Sequence, residues 1–383
     1  MSDPVVGGTV AKGFEAVHEE FAAVLAEERL GHAAQLAAYV DGQQVVDLWG
    51  GPEMTGDALT GVYSSTKGAA YLVVALLVQD GTLDLDERVA RYWPEFAAGG
   101  KEAVTLRELL THRVGLVGVE EGLSTEELSD DRLIAERLAG RRPYWRPGTA
   151  FGYHALVVGA LAGEVVRRVT GRSLQEYYEA HIRAPYGIDL YLGLPEELEH
   201  RVRSTLPMDP TPEQKRTLRE TEGGPDSLDA IAFNRTRPDA VPLDELPNHR
   251  AVRAGGPASV GGTGSARGLA QLYAAAVSGL DGRPALLAPE TVAVFSQAHS
   301  VGYGMVGREH HAFAVGFEAL GDCYRFLGAR AFGHSGAAGS QAFADPARGL
   351  AFGYTRRRFG YPGGAGPDAE RLAGAVHACV VSG

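Results

Sequence analysis

Hydrophobic positions recur at helical spacing early in the chain. Phe14, Val17, Phe21, Val24 and Leu25 predict an amphipathic helix within residues 10–30. The period then changes. Ala34-Gln35-Leu36-Ala37-Ala38-Tyr39-Val40 and Gln43-Gln44-Val45-Val46-Asp47-Leu48-Trp49 are β-prone runs. Asp41-Gly42 between them is a hairpin signal, because both residues tolerate positive φ. A long apolar helix is expected over residues 65–79, stopped by Asp80-Gly81. Thr105-x-x-Glu108 and Ser173-x-x-Glu176 are capping-box patterns that open further helices. Helices at about 154–170 and 173–184 complete a helix-rich middle. A Gly/Ser-rich turn over 255–268 leads into a helix at 269–277. From about residue 300 the pattern turns to short β-like runs at 326–333, 341–345 and 349–355, and a final helix covers about 367–381.

This element order predicts an α+β fold. The N- and C-terminal parts share one antiparallel β-sheet flanked by helices, with a mainly α-helical domain inserted between them. The expected division is 1–62 plus 285–383 for the sheet domain and 63–284 for the helical one. Residues 205–250 stand apart. Seven of the 20 prolines lie there, and the segment is polar and too long for an ordinary connection. It is either mobile or a functional wall.

Composition narrows the function classes. The 383 residues carry 36 Lys plus Arg against 48 Asp plus Glu, a net charge of −12. That balance argues against a protein built to grip nucleic acid or an anionic membrane. The longest apolar runs fall short of the roughly 20 residues that a membrane-spanning helix needs. Met1-Ser2-Asp3-Pro4 shows no basic segment followed by an apolar run, so a cytoplasmic location is expected. Two cysteines, Cys323 and Cys379, are too few for a disulfide framework and fit no metal spacing. They are expected to be reduced core or strand residues. Nothing in the pattern specifies an oligomer.

The sharpest local chemistry is Val62-Tyr63-Ser64-Ser65-Thr66-Lys67-Gly68-Ala69-Ala70. At helix spacing, residues three apart share a face, so Lys67 reaches back toward the Ser64 hydroxyl. Serine is a weak nucleophile at its own pKa and needs an adjacent base. Lysine can serve if burial lowers its pKa, and the flanking Ala69, Ala70, Leu72, Val73, Val74 and Leu76 supply an apolar setting. Only four of the 36 basic residues are lysine, and this is the only S-x-x-K in the chain. A solvated-face lysine is the plainer alternative. Ser65 is the competing hydroxyl, with the wrong spacing to Lys67. The Ser64 N–H, at a helix start, is suited to stabilising a developing oxyanion.

Two further motifs join it. In Gly148-Thr149-Ala150-Phe151-Gly152-Tyr153-His154-Ala155 a turn precedes an apolar helix, with Tyr153 at or just before its start. A nearby lysine would favour the Tyr153 phenolate and let it shuttle the serine proton; ordinary packing is the alternative. His154 reads as a polar cap residue or a contact to substrate. In Phe332-Gly333-His334-Ser335-Gly336-Ala337-Ala338-Gly339-Ser340 the glycines mark close backbone approach, and the Ala337 N–H is a candidate for the other half of an oxyanion hole. A plain glycine-rich turn is the alternative.

In this order and spacing the three motifs resemble the serine β-lactamase and penicillin-binding-protein superfamily, above all its class C-like branch with family VIII carboxylesterases and related transacylases. Asp47-Leu48-Trp49-Gly50-Gly51, Tyr92-Trp93-Pro94-Glu95-Phe96 and Leu109-Leu110-Thr111-His112-Arg113-Val114-Gly115-Leu116 extend the resemblance over roughly residues 10–380. It implies a β-lactamase/transpeptidase-like fold with the active site between the two domains. It implies Ser64 as the acylated nucleophile, Lys67 and Tyr153 as the proton-transfer pair, and Ser64 and Ala337 as the oxyanion hole. His154, His334, Ser335 and Gly336 fall on the substrate side, and no cofactor or metal is called for.

Two departures matter. Tyr153-His154-Ala155 stands where class C enzymes have Tyr-x-Asn, and His334-Ser335-Gly336 stands where β-lactamases have Lys-Thr-Gly. The amide and the permanent cation suited to a β-lactam are therefore missing. Other signatures are absent. The nearest approach to G-x-S-x-G is Ala298-His299-Ser300-Val301-Gly302, adjacent His310-His311 cannot mimic a zinc motif, and the glycines at 255–264 match no nucleotide fingerprint. The expected activity is hydrolysis of a small-molecule carboxylic ester through acyl-Ser64. Transfer of the acyl group to an amine or alcohol is the alternative, ahead of β-lactamase or DD-peptidase activity. Intact Ser64, Lys67 and Tyr153 argue against a silent binding protein.

Overall fold

A computed structural model describes residues 5–27, 31–307 and 309–382. Its strands in chain order are β1 (Val6–Val10), β2 (Ala34–Val40), β3 (Gln43–Gly50), β4 (Thr60–Gly61), β5 (Leu190–Tyr191), β6 (Thr263–Gly264), β7 (Ser300–Tyr303), β8 (His310–Phe313), β9 (Glu318–Ala319), β10 (Phe332–Ser335), β11 (Gln341–Asp345) and β12 (Leu350–Arg356). Nine of them form one antiparallel sheet in the order β1-β3-β2-β12-β11-β10-β9-β8-β7. The strand before residue 41 and the strand after residue 349 are thus central neighbours, with Ala38 opposite Phe352. β4, β6 and β5 make a small second sheet.

The central strands are covered on both faces, which is why β2 reads as a nearly unbroken apolar run. Leu36, Ala38, Phe343 and Phe352 face a core closed by the Glu15–Glu27 and Pro367–Ser382 helices. Ala37, Tyr39, Ala342 and Ala344 face the larger core with the Thr66–Gln79 and Ala266–Val277 helices. The Asp41-Gly42 turn takes φ of 48° and 77°, as a type I′ hairpin requires. Both expected capping boxes are formed. Among the described residues no helix is long and apolar enough to cross a membrane.

Several boundaries differ from the sequence expectation. The first helix begins at Glu15; Val6–Val10 is instead an edge strand on β3, and Gly13 at φ 94° separates the two. Residues 28–30 lie outside the described residues. The helix expected near 154 begins at Val158. Ala155, Leu156 and Val157 are apolar because they are buried, not because they are helical. Within 326–333 only the end is a strand, and β10 runs on to Ser335. The helix expected at 269 starts at Ala266, capped by Ser265. The cysteines are unpaired, but both lie on helices, with Cys323 exposed.

The 205–250 segment is packed. It forms helices at Pro212–Thr221 and Leu228–Ala232. Asn234 latches it through paired bonds to the Leu123 backbone at 2.7 and 2.9 Å. Ile231 and Ala232 form a small core with Val117 and Val306, against which Tyr153 and Trp145 pack. Of the two alternatives, the wall is the one that the packing matches.

Candidate active site

Ser64 sits in the single turn Tyr63–Ser65 that feeds the Thr66–Gln79 helix. Tyr63 has φ 49°, a left-handed conformation that a bulky residue rarely adopts. Its ring is fully buried edge-on against Phe359, so packing holds the strained backbone beside Ser64. Ser65 is also buried. Its hydroxyl is engaged with the His334 carbonyl at 3.1 Å and with Ser340 Oγ at 2.9 Å, and Ser340 in turn donates to Val62 O at 2.9 Å. These bonds stitch the start of the helix to the β10–β11 turn that carries Gly336 and Ala337. Gly336 is required there, because a Cβ would lie 2.3 Å from Val62 O.

Lys67 is 0 % exposed. Its Nζ lies 3.0 Å from Ser64 Oγ, 2.7 Å from Ala155 O and 2.8 Å from Ser259 O. Burial pushes its pKa down to about 7, and the Glu318 carboxylate partly restores it. The Tyr153 ring lies 4.9 Å from the ammonium, and its hydroxyl interacts with Ser64. The ring is stacked on Phe313 at 5.7 Å and meets His112 edge-on at 5.2 Å. The expected phenolate is not favoured. Burial, reinforced by Glu318, raises the Tyr153 pKa, so the hydroxyl stays protonated.

His154 is fully buried beside Tyr153, with none of its surface open to a substrate. Its Nε2 accepts the Leu116 N–H at 3.2 Å, which places its proton on Nδ1, facing His112 Nδ1 at 3.3 Å. Burial lowers its pKa to about 4, so it braces the loop as a neutral ring. His334 is 1 % exposed. Its Nδ1 donates to Ser335 O at 2.8 Å, while Nε2 has no hydrogen-bond partner among the described residues. Burial and Lys67 lower its pKa to about 3, so no cation stands there at neutral pH. Ser335 gives both its donors to Glu318: N–H to Oε2 at 3.0 Å and Oγ–H to Oε1 at 2.8 Å.

The structure therefore gathers Ser64, Lys67, Tyr153, His334, Ser335, Gly336 and Ala337 around the helix start, and sets His154 behind it. Sequence reasoning missed Glu318 and the two carbonyls that hold Lys67. The signal for Glu318 was a lone acid within Ala314-Val315-Gly316-Phe317-Glu318-Ala319-Leu320, since a charge in a buried strand needs a reason. The Ser259 anchor depends on Gly159, whose added Cβ would meet Ala258 C and Ser259 N at 2.4 Å; Gly159 N–H also donates to Ser259 Oγ at 2.7 Å. Gly159→Ala is expected to lower stability by about 1–3 kcal/mol through overpacking. It should also lower kcat, as the Ser259 carbonyl is pushed off Lys67. Denaturant midpoints and steady-state kinetics read both; a folded variant with unchanged kcat would show that this carbonyl does not position the lysine.

The chain is similar to known proteins over nearly its whole length. The family model described as Beta-lactamase matches residues 21–377. Esterase/beta-lactamase LipL of Mycobacterium tuberculosis is 29% identical over 92% of this chain and 83% of its own. The structure of EstA from Arthrobacter nitroguajacolicus Rue61a superposes with a TM-score of 0.90 and 43% identity over 98% of both chains. A family VIII carboxylesterase structure gives 0.87 and 33% identity, covering 98% of this chain and 100% of the other.

Proposed function

Because this chain belongs to the beta-lactamase family, we propose that it is a serine carboxylesterase whose acyl-enzyme forms on Ser64. The observation that carries this reading is the environment of Lys67. A neutral amine has two N–H groups and one lone pair. Here two carbonyls accept the N–H groups, which leaves the lone pair toward Ser64 Oγ at 3.0 Å. A pKa near 7 makes that neutral form abundant at working pH. Kinship with proteins named as esterases supports an ester substrate.

In the proposed reaction Ser64 Oγ attacks the ester carbonyl carbon as Lys67 takes the hydroxyl proton. The Ser64 and Ala337 N–H groups face the oxyanion. Protonated Tyr153 gives its proton to the departing alkoxide and is reprotonated by the Lys67 ammonium. The acyl–O bond to the alcohol breaks, leaving acyl-Ser64. Water then attacks the acyl carbon as Lys67 takes its proton; the acyl–Oγ bond breaks, Lys67 returns the proton to Ser64 Oγ, and the acid leaves. The neutral His334, which offers no cation to a lactam carboxylate, supports an ester over a β-lactam.

A p-nitrophenyl ester tests this reading. Intact mass must show one acyl group, and added alcohol or amine must reveal whether the acyl group goes to water or to the acceptor. Cephalosporin turnover as fast as ester turnover would overturn the choice of substrate. The pH profile is a separate check. Lys67 must be neutral to act, so kcat/KM should rise with pH through an apparent pKa of about 7 and level above it. A profile flat between about pH 6 and 8 would remove Lys67 as the base.

A further inference from the structure

Glu318 stands where the site would otherwise be neutral. It enters from β9 through the pairing of Gly333 with Glu318. Its carboxylate takes both donors of Ser335 and lies 3.4 Å from His334 Nδ1, yet its side chain keeps 20% of its exposure. Its charge reaches both Lys67 and Tyr153. The groups around it do not cancel that charge. His334 is neutral, and the Lys67 amine is neutral above its lowered pKa. Ser335 has no hydrogen left for a second anion, because Glu318 holds its N–H and its O–H.

We infer that Glu318 sets the charge specificity of the site, disfavouring esters with an anionic group near the scissile carbonyl and favouring cationic ones. This rests on the esterase reading. Glu318 is pushed up to about 6 by burial, so it is ionised at about pH 8. A single fixed charge in a partly exposed cleft acts mainly on substrates of opposite or like sign and leaves neutral ones as the reference. The chain's overall charge of −12 acts in the same direction. The local contribution must therefore be isolated by changing one carboxylate.

The experiment uses phenyl esters whose acyl chains end in trimethylammonium, tert-butyl or carboxylate, and a second set with the same groups on the alcohol side. At about pH 8 and low salt, wild-type kcat/KM should follow the order cationic, neutral, anionic in at least one set. Glu318→Gln should reduce the cationic-to-anionic ratio about tenfold, an effect of the size expected for one nearby charge. Glu19→Gln, an exposed acid on the first helix, should leave that ratio unchanged. Equal changes for all three esters in Glu318→Gln would make the residue a structural brace and overturn the inference. A wild-type preference for the anionic ester in both sets overturns it without any variant. If no phenyl ester is cleaved and no acyl adduct forms, it is the esterase reading that fails. Turnover of the neutral ester with a ratio unaffected by Glu318→Gln sinks the charge inference alone.

Discussion

Ser64→Ala is expected to reduce ester turnover by about 10⁴–10⁶-fold and to remove the acyl adduct from the intact mass. The neighbouring hydroxyl cannot take over. Ser65 is buried and bound to His334 O and Ser340 Oγ, on the side that ties the helix to the β10–β11 turn. The side-chain hydroxyl of Ser64, in contrast, is the one beside Lys67. The substitution removes a partly exposed hydroxyl and creates no cavity, so the melting temperature should move little. Acylation of the variant at the wild-type rate would place the nucleophile elsewhere. Acylation of neither protein by any activated ester would instead count against the esterase reading as a whole.

Lys67→Met is expected to lower kcat/KM by about 10³-fold or more while leaving stability unchanged or raised. The two effects have separate causes. A lysine lowered from 10.5 to about 7 in the folded chain costs on the order of 5 kcal/mol when it is protonated. Methionine removes that cost but leaves the Ala155 and Ser259 carbonyls without their donor, at about 1–3 kcal/mol each. The sign of the pH dependence follows from proton counting. Between about pH 7 and 10.5 the unfolded chain holds the Lys67 proton more tightly than the folded one, so wild-type stability rises with pH across that window. The advantage of Lys67→Met should therefore be full below about pH 7 and shrink toward about pH 10. Denaturation curves at several pH values check this. A variant that is destabilised by the same amount at every pH would mean that Lys67 is not held with a depressed pKa. The trade is of the kind expected where a functional group is kept in an unfavourable place.

How much of this was legible in the sequence depends on how locally each feature is encoded. Ser64 and Lys67 are three residues apart, and helix geometry alone brings them together. The Asp41-Gly42 turn and the two capping boxes are likewise complete within a few residues. Tyr153 was found through its motif, but its ionisation was misjudged. Proximity to a cation suggested a phenolate, whereas burial decides the matter and keeps the proton on. The helix start was misplaced by four residues at 154, because burial and helicity give the same apolar signal over Ala155, Leu156 and Val157. Glu318 was legible only as a lone acid in an apolar run, with nothing to say that it joins the site. It reaches Ser335 only through the pairing of β9 with β10, and that register appears in no local pattern. The strained φ of Tyr63 is also invisible in sequence, since it is imposed by the packing around Phe359 and the β10–β11 turn.

The central pairing of β2 with β12 has a consequence for how the molecule is made. Thr355 and Gln35, 320 residues apart, share a side-chain hydrogen bond between these strands. During synthesis the β2–β3 hairpin emerges early, but the edge of β2 that will lie mid-sheet waits until β12 has been made. The β10–β11 turn, with Gly336 and Ala337, is also a late arrival. A partly made chain thus holds Ser64 and Lys67 in one short segment while lacking the walls that later surround them.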